Sequence, residues 1–114
     1  MRRTDRRRLS DVLEALDVID AHLERGGLHD GLVYDAVRIR LLEIGEAVKA
    51  VSADLLAEEA EVPWRAIGRM RDHLAHRYFD TDHAVVVDVV ARELDPLREA
   101  VVRLLARLEA DEGG

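Results

Sequence analysis

Apolar residues recur along this chain at intervals of three and four, the spacing of one helical face. Leu9, Val12, Leu13, Leu16, Ile19 and Leu23 form such a stripe in a helix predicted over residues 4–25. Gly26-Gly27 follows, a pair suited to a left-handed cap at the helix C-terminus. A second helix is predicted over 31–51, opened by Asp30 as its N-cap. Its buried side reads Val33, Ala36, Val37, Arg40, Leu41, Ile44, Ala47, Val48 and Val51. Gly45 interrupts this helix, and a residue with no side chain there lets a neighbouring helix come close. Residues 52–60 read as a short, weaker helix or a structured loop.

Pro63 suits the first position of the next helix, predicted over 63–78. Trp64, Ile67, Arg71, Leu74, Ala75 and Tyr78 share one face of it, and Trp64 and Ile67 read as core. Phe79-Asp80-Thr81-Asp82 reads as a turn, with Asp80 or Thr81 as the next cap. A last apolar series runs through Val85, Val86, Val89, Val90, Leu94, Leu97, Val101, Leu104, Leu105 and Leu108. The β-branched run at 85–90 has strand propensity, but helical spacing continues straight through it, which predicts helix. Pro96 cannot continue the hydrogen-bond ladder, so this helix should kink or restart with Asp95 as the new cap. The pattern predicts one all-α domain over 1–114, an up-and-down bundle of roughly five helices with no repeat and no linker.

Composition sharpens this picture. With no cysteine among 114 residues, disulfides, thiol nucleophiles and Cys-ligated zinc are excluded. No apolar run approaches the roughly 20 residues a membrane span needs, and the basic start at 2–8 leads into a polar amphipathic segment rather than a signal sequence. A soluble, cytoplasmic protein is the expectation. The net charge of −7 argues against a protein that coats nucleic acid. That charge is uneven. Arg2, Arg3, Arg6, Arg7 and Arg8 crowd the start, Arg65, Arg69, Arg71 and Arg77 crowd one later segment, and the acidic end at 109–114 reads as frayed. The arginines at the start read as a solvated helix end or as a contact for RNA or a partner.

That later segment, Arg71-Asp72-His73-Leu74-Ala75-His76-Arg77-Tyr78, packs a guanidinium, two imidazoles, a carboxylate and a phenol into little more than two helical turns. Arginine can hold charge on phosphate oxygens while histidine moves protons near neutral pH. Positions five apart on a helix differ by about 140° and 7.5 Å, so Arg71 and His76 do not share a face. Arg71 lies on the apolar side and His76 on the polar side, so a site using both needs the full reach of the Arg side chain, a local distortion of the helix, or a second protomer, and the last suggests a site built across a dimer. Asp72 and His76 are four apart, so the carboxylate can orient the imidazole, or the two form a surface ion pair. His73 and His76 with Asp72 or Asp80 could hold a divalent metal, although there is no HExxH pattern and no convergent carboxylate cluster. His22, His29 and His83 read as solvated. Glu43 and Glu46 on the second helix could bring a carboxylate to the reactive segment, or pair with a local arginine.

Leu41-Leu42-Glu43-Ile44-Gly45-Glu46-Ala47, then Val62-Pro63-Trp64-Arg65-Ala66-Ile67, then Met70 through Tyr78, in that order and with the closing Leu94-Asp95-Pro96-Leu97, resemble the HepT-type HEPN domain over nearly the whole chain. Its core motif is an Arg, four residues, a His, one residue and a Tyr. The resemblance implies an all-helical homodimer whose Arg-His motifs meet in a cleft between protomers. It implies a metal-independent endoribonuclease, without cofactor, serving as the toxin of a toxin–antitoxin pair. The antitoxin would be a minimal nucleotidyltransferase that transfers AMP to Tyr78. Arg71 and His76 would be catalytic, with Asp72, His73 and Glu46 in support and Arg65, Arg69 and Arg77 on RNA phosphates. The position after the motif Arg is often Asn in that family and is Asp72 here, which sets a negative charge near the scissile phosphate. A helical dimer that binds a nucleotidyltransferase or a nucleotide without catalysis is the competing class, and a metal-dependent phosphohydrolase a third.

Overall fold

The computed structural model describes residues 2–76 and 79–113 and is helical almost throughout, with no strand among them. Six α-helices follow one another: α1 (Arg2–Arg25), α2 (Gly31–Ala50), α3 (Ala53–Leu56), α4 (Trp64–Ala75), α5 (Phe79–Arg92) and α6 (Leu94–Gly113), with a 3₁₀ turn at Ala57–Glu59. The stripes expected from the sequence face inward. Leu9, Val12, Leu16 and Ile19 of α1 pack with Val37, Leu41, Ile44 and Val48 of α2, and with Leu97, Val101, Leu104 and Leu108 of α6. Ile67, Met70 and Leu74 of α4 and Val86 of α5 close the same cluster. The β-branched run at 85–90 is helical, as its spacing predicts. No helix among the described residues is long and apolar enough to cross a membrane.

Asp30 caps α2 as expected, its carboxylate accepting from the Leu32 and Val33 amides at 2.9 and 3.4 Å. Other ends differ from expectation. Neither Gly26 nor Gly27 takes a left-handed φ. Their small size is what the connection uses, since a Cβ on Gly26 would stand 3.3 Å from Val33 Cγ2 and one on Gly27 would meet the His29 ring at 2.8 Å. Pro63 is the N-cap of α4 rather than its first residue, because its ψ of 67° is not helical while its carbonyl already accepts from Ile67 N at 3.0 Å. Residues 79–82 open α5 instead of forming a turn. The break before α6 is the single residue Glu93, so Asp95 lies inside the first turn of α6 and does not cap it. Its position follows from Pro96, whose ring cannot tolerate a helical carbonyl four residues back, at Arg92, where α5 ends.

Asp5 is 3% exposed, and its Oδ1 accepts the Ser52 amide at 3.0 Å, pinning the start of α1 to the α2–α3 junction. At the other end Arg98 of α6 reaches Asp17 and Asp20 of α1, each at 2.7 Å. Between them these contacts fix the long helices that carry α4.

Candidate active site

Helix α2 positions the reactive segment through three residues. Arg38, Gly45 and Lys49 recur at seven and four, so they share the α2 face turned toward α4. Gly45 lets the two backbones approach. A Cβ there would collide with Arg71 Cβ and sit 3.1 Å from Arg71 Cγ and 3.3 Å from its Cα. The close approach expected at Gly45 is therefore the seat of Arg71. Arg38 donates from Nη2 to the Leu74 carbonyl, one of the carbonyls that the end of α4 leaves unpaired. Lys49 donates to both oxygens of Asp72, at 3.0 and 3.3 Å. Sequence reasoning named Gly45 but passed over Arg38 and Lys49. Their shared spacing with Gly45 was the signal available.

Arg71 is half-buried. Its Nε ion-pairs with Glu46 Oε2 at 2.7 Å, and its Nη1 reaches Asp72 Oδ1 at 3.3 Å. Of the two carboxylates expected to reach this segment, Glu46 does, while Glu43 pairs with Arg40 at 3.0 Å. The Lys49 hydrogen bond, ahead of the charges of Lys49 and Arg71, holds the Asp72 carboxyl below the usual carboxylate range.

His76 is exposed and caps α4, its amide donating to the His73 carbonyl at 3.2 Å. The ring does not use the Asp72 carboxylate, contrary to the i,i+4 expectation. The carboxylate is taken by Lys49 and Arg71, and His76 Nδ1 meets the Asp72 main-chain carbonyl instead, at 2.5 Å. A carbonyl only accepts, so Nδ1 carries the proton and Nε2 is the basic nitrogen of the neutral ring.

The helical geometry separates the two groups as predicted. Arg71 opens into a cavity between α1, α2 and α4 that it shares with Arg8, Arg40 and Glu46. His76 opens into a groove between α4 and α5, with His73 and Arg69 beside it and an apolar wall from Ile67, Met70, Val85 and Val89. Arg65 is exposed beside Trp64 and Lys49, in a shallower cavity that Arg69 also borders. Ile67 is a core residue as expected, while Trp64 is half-buried and packs against the core, donating from Nε1 to the Glu59 carbonyl at 3.0 Å. His29 is exposed and His22 half-buried. His83 is exposed, yet stacks on Tyr34 with ring centroids 5.0 Å apart. Arg77 and Tyr78 lie outside the described residues. Among the described residues no group of three or more His, Cys, Asp or Glu side chains could hold a metal ion.

An all-helical domain that carries Arg71 within α4 and His76 at its C-terminal end, an Arg, four residues and a His, resembles the HEPN-type ribonucleases. Residues 12–104 match the family described as "Ribonuclease HepT-like". The chain belongs to that family. It is 34% identical to the "Probable ribonuclease HepT" of Thermococcus cleftensis, over 86% of this chain and 93% of that one. It is 32% identical to the "Putative RNase MJ0127" of Methanocaldococcus jannaschii, over 91% of this chain and 89% of the other. A third relative, the "Gamma-glutamylcyclotransferase and putative RNase MJ0434" of the same archaeon, is 26% identical, and the chain spans about half of its length, 49%. No solved structure matches the chain.

Proposed function

We propose that this chain is a metal-independent endoribonuclease that works as a homodimer, with Arg71 of one protomer and His76 of the other meeting at one phosphate. The observation that carries this reading is the state of His76: exposed at a helix end, with Nδ1 tied to a carbonyl and Nε2 left basic. In the proposed reaction His76 Nε2 takes the proton of a ribose 2′-OH, whose oxygen attacks the adjacent phosphorus. Arg71 stabilises the charge on the non-bridging oxygens. The bond to the 5′-oxygen breaks, and a protonated imidazole returns a proton to that leaving oxygen. The products are a 2′,3′-cyclic phosphate and a 5′-OH.

Glu46 aims the Arg71 guanidinium, the Asp72 carbonyl fixes the His76 tautomer, and His73 shapes the groove beside it. Arg65, Arg69 and Arg77 contact flanking phosphates. In the cell the protein acts as a cytoplasmic toxin, restrained by a nucleotidyltransferase antitoxin that places AMP on Tyr78. The added phosphate repels RNA from the cleft.

Induced expression in a bacterial host tests this, comparing wild type with Arg71→Ala and His76→Ala and mapping RNA ends in each culture. Growth arrest with new 2′,3′-cyclic phosphate ends in wild type alone is the expected result. Ends carrying 3′-OH and 5′-phosphate, formed only with a divalent metal, would overturn it. One observation favours the non-catalytic alternative: Arg71 is already engaged by Glu46 and Asp72. A binding module predicts that His76→Ala leaves both RNA and growth unchanged while the partner still binds.

A further inference from the structure

Asp72 is a charge in an awkward place. It adjoins the guanidinium proposed to bind phosphate, and its own carbonyl holds His76. A carboxylate there would pull Arg71 into a closed ion pair and repel an incoming phosphate. Its main partner, however, is Lys49, 23 positions earlier on α2. The ammonium bridges both carboxylate oxygens at 3.0 and 3.3 Å, whereas Arg71 touches only Oδ1, at 3.3 Å.

The chain makes room for this contact. Gly68, one turn before Asp72, is buried beneath the Lys49 stem. A Cβ at that position would stand 3.0 Å from Lys49 Cγ and 3.6 Å from its Cδ. A lysine stem laid across a glycine delivers its ammonium to a fixed place more reliably than one free in solvent. Two separate features, the bridging hydrogen bonds and the glycine under the stem, thus converge on one contact.

We infer that Lys49 is a positioning residue of the RNA site: it takes up the Asp72 carboxylate and thereby leaves Arg71 able to receive phosphate. This rests on the reading of Arg71 as the phosphate-binding group. It implies that Lys49 matters only while residue 72 carries a charge. Removing Lys49 from the native chain leaves Arg71 as the one arginine or lysine within hydrogen-bond reach of Asp72 among the described residues. Removing it after Asp72 has been neutralised releases nothing.

The test is a double-mutant cycle of wild type, Lys49→Met, Asp72→Asn and the combined variant, each checked for helicity by circular dichroism. Affinity is read by fluorescence anisotropy on a short 2′-O-methyl RNA, which cannot undergo 2′-OH attack. Cleavage of the matching RNA supplies kcat and KM. Lys49→Met should weaken binding and raise KM about fivefold in the native background, an effect of the size of one unscreened charge near contact distance. In the Asp72→Asn background the same change should alter Kd by less than about twofold. Lys49→Arg should retain wild-type affinity. A fivefold loss in both backgrounds would overturn the inference, because Lys49 would then contact RNA or prop the helix on its own. No loss in either background would overturn it too. A wild type that binds the 2′-O-methyl RNA without cutting the cleavable one defeats the ribonuclease reading while the cycle still decides the role of Lys49. A wild type that does not bind RNA defeats both.

Discussion

Arg71 and His76 stand five residues apart on one stretch of chain, yet different parts of the molecule hold them. Arg71 sits in the packed middle of α4, pressed onto Gly45 and tied to Glu46 at 2.7 Å. His76 sits where α4 ends, exposed, with the main-chain carbonyl one turn back as its ring's anchor. The guanidinium is placed by tertiary packing and the imidazole by local backbone. A reagent that only presents charge can be built into the core wall. One that must exchange protons with substrate is better carried at a helix end, where little has to move to admit RNA.

The largest expected effect falls on the locally held group. His76→Ala should lower kcat by about 10²–10⁴-fold, the usual worth of a positioned general acid–base, with melting temperature nearly unchanged because the ring covers no core. Steady-state cleavage and thermal denaturation of the same samples check it. A variant that loses both activity and stability would place His76 in the packing and collapse the contrast with Arg71.

The reverse pattern is expected for the packed group. Gly45→Ala forces a methyl into Arg71 Cβ and should cost about 1–3 kcal/mol of stability, as overpacking does. Cleavage should fall as well, because the Arg71 backbone must shift. Urea denaturation and RNA cleavage measure the two. Glu46→Gln leaves the packing alone and removes the carboxylate paired with Arg71, so its effect is smaller. Phosphate then meets less competition while the guanidinium loses its guide, and both KM and kcat should drop about two- to fivefold.

How far this contrast could be read from sequence differs between its two sides. The helices and their buried stripes were legible because each stripe keeps its spacing over several turns, as Leu9 to Leu23 and Leu94 to Leu108 do. The 140° separation of Arg71 from His76 was legible too, since it follows from helix geometry alone. Ends were less so. Two aspartates at 79–82 serve a turn or a helix start equally well, and Gly26-Gly27 is used for close passage where a left-handed cap was expected. The supports were hardest. Lys49 lies 23 residues before Asp72, and only the crossing of α2 and α4 brings them together. For the same reason the expected pairing of Asp72 with His76 failed: a local rule was overridden by a distant cation.

The smallest effect lies far from the motif and calibrates the rest. Glu59 sits in the 3₁₀ turn, its side chain 11% exposed, its carboxylate receiving Arg103 Nε and Nη2 at 3.1 and 2.8 Å and Arg107 as well. The Arg103 hydrogen bond does most to hold its carboxyl below 4.5. A carboxyl lowered in the folded state binds its proton less readily there than in the unfolded chain. Its contribution is therefore complete above the unfolded value and disappears as pH falls through the folded one. Glu59→Gln should lower the melting temperature by about 2–5 °C at pH 7, and the gap between variant and wild type should close on acidification below 4.5. Cleavage at 25 °C should be unchanged. If it instead fell in step with the melting temperature, activity would track global stability, and the loss expected from Gly45→Ala could no longer be assigned to the displacement of Arg71. If stability falls and cleavage holds, that loss reports where Arg71 sits.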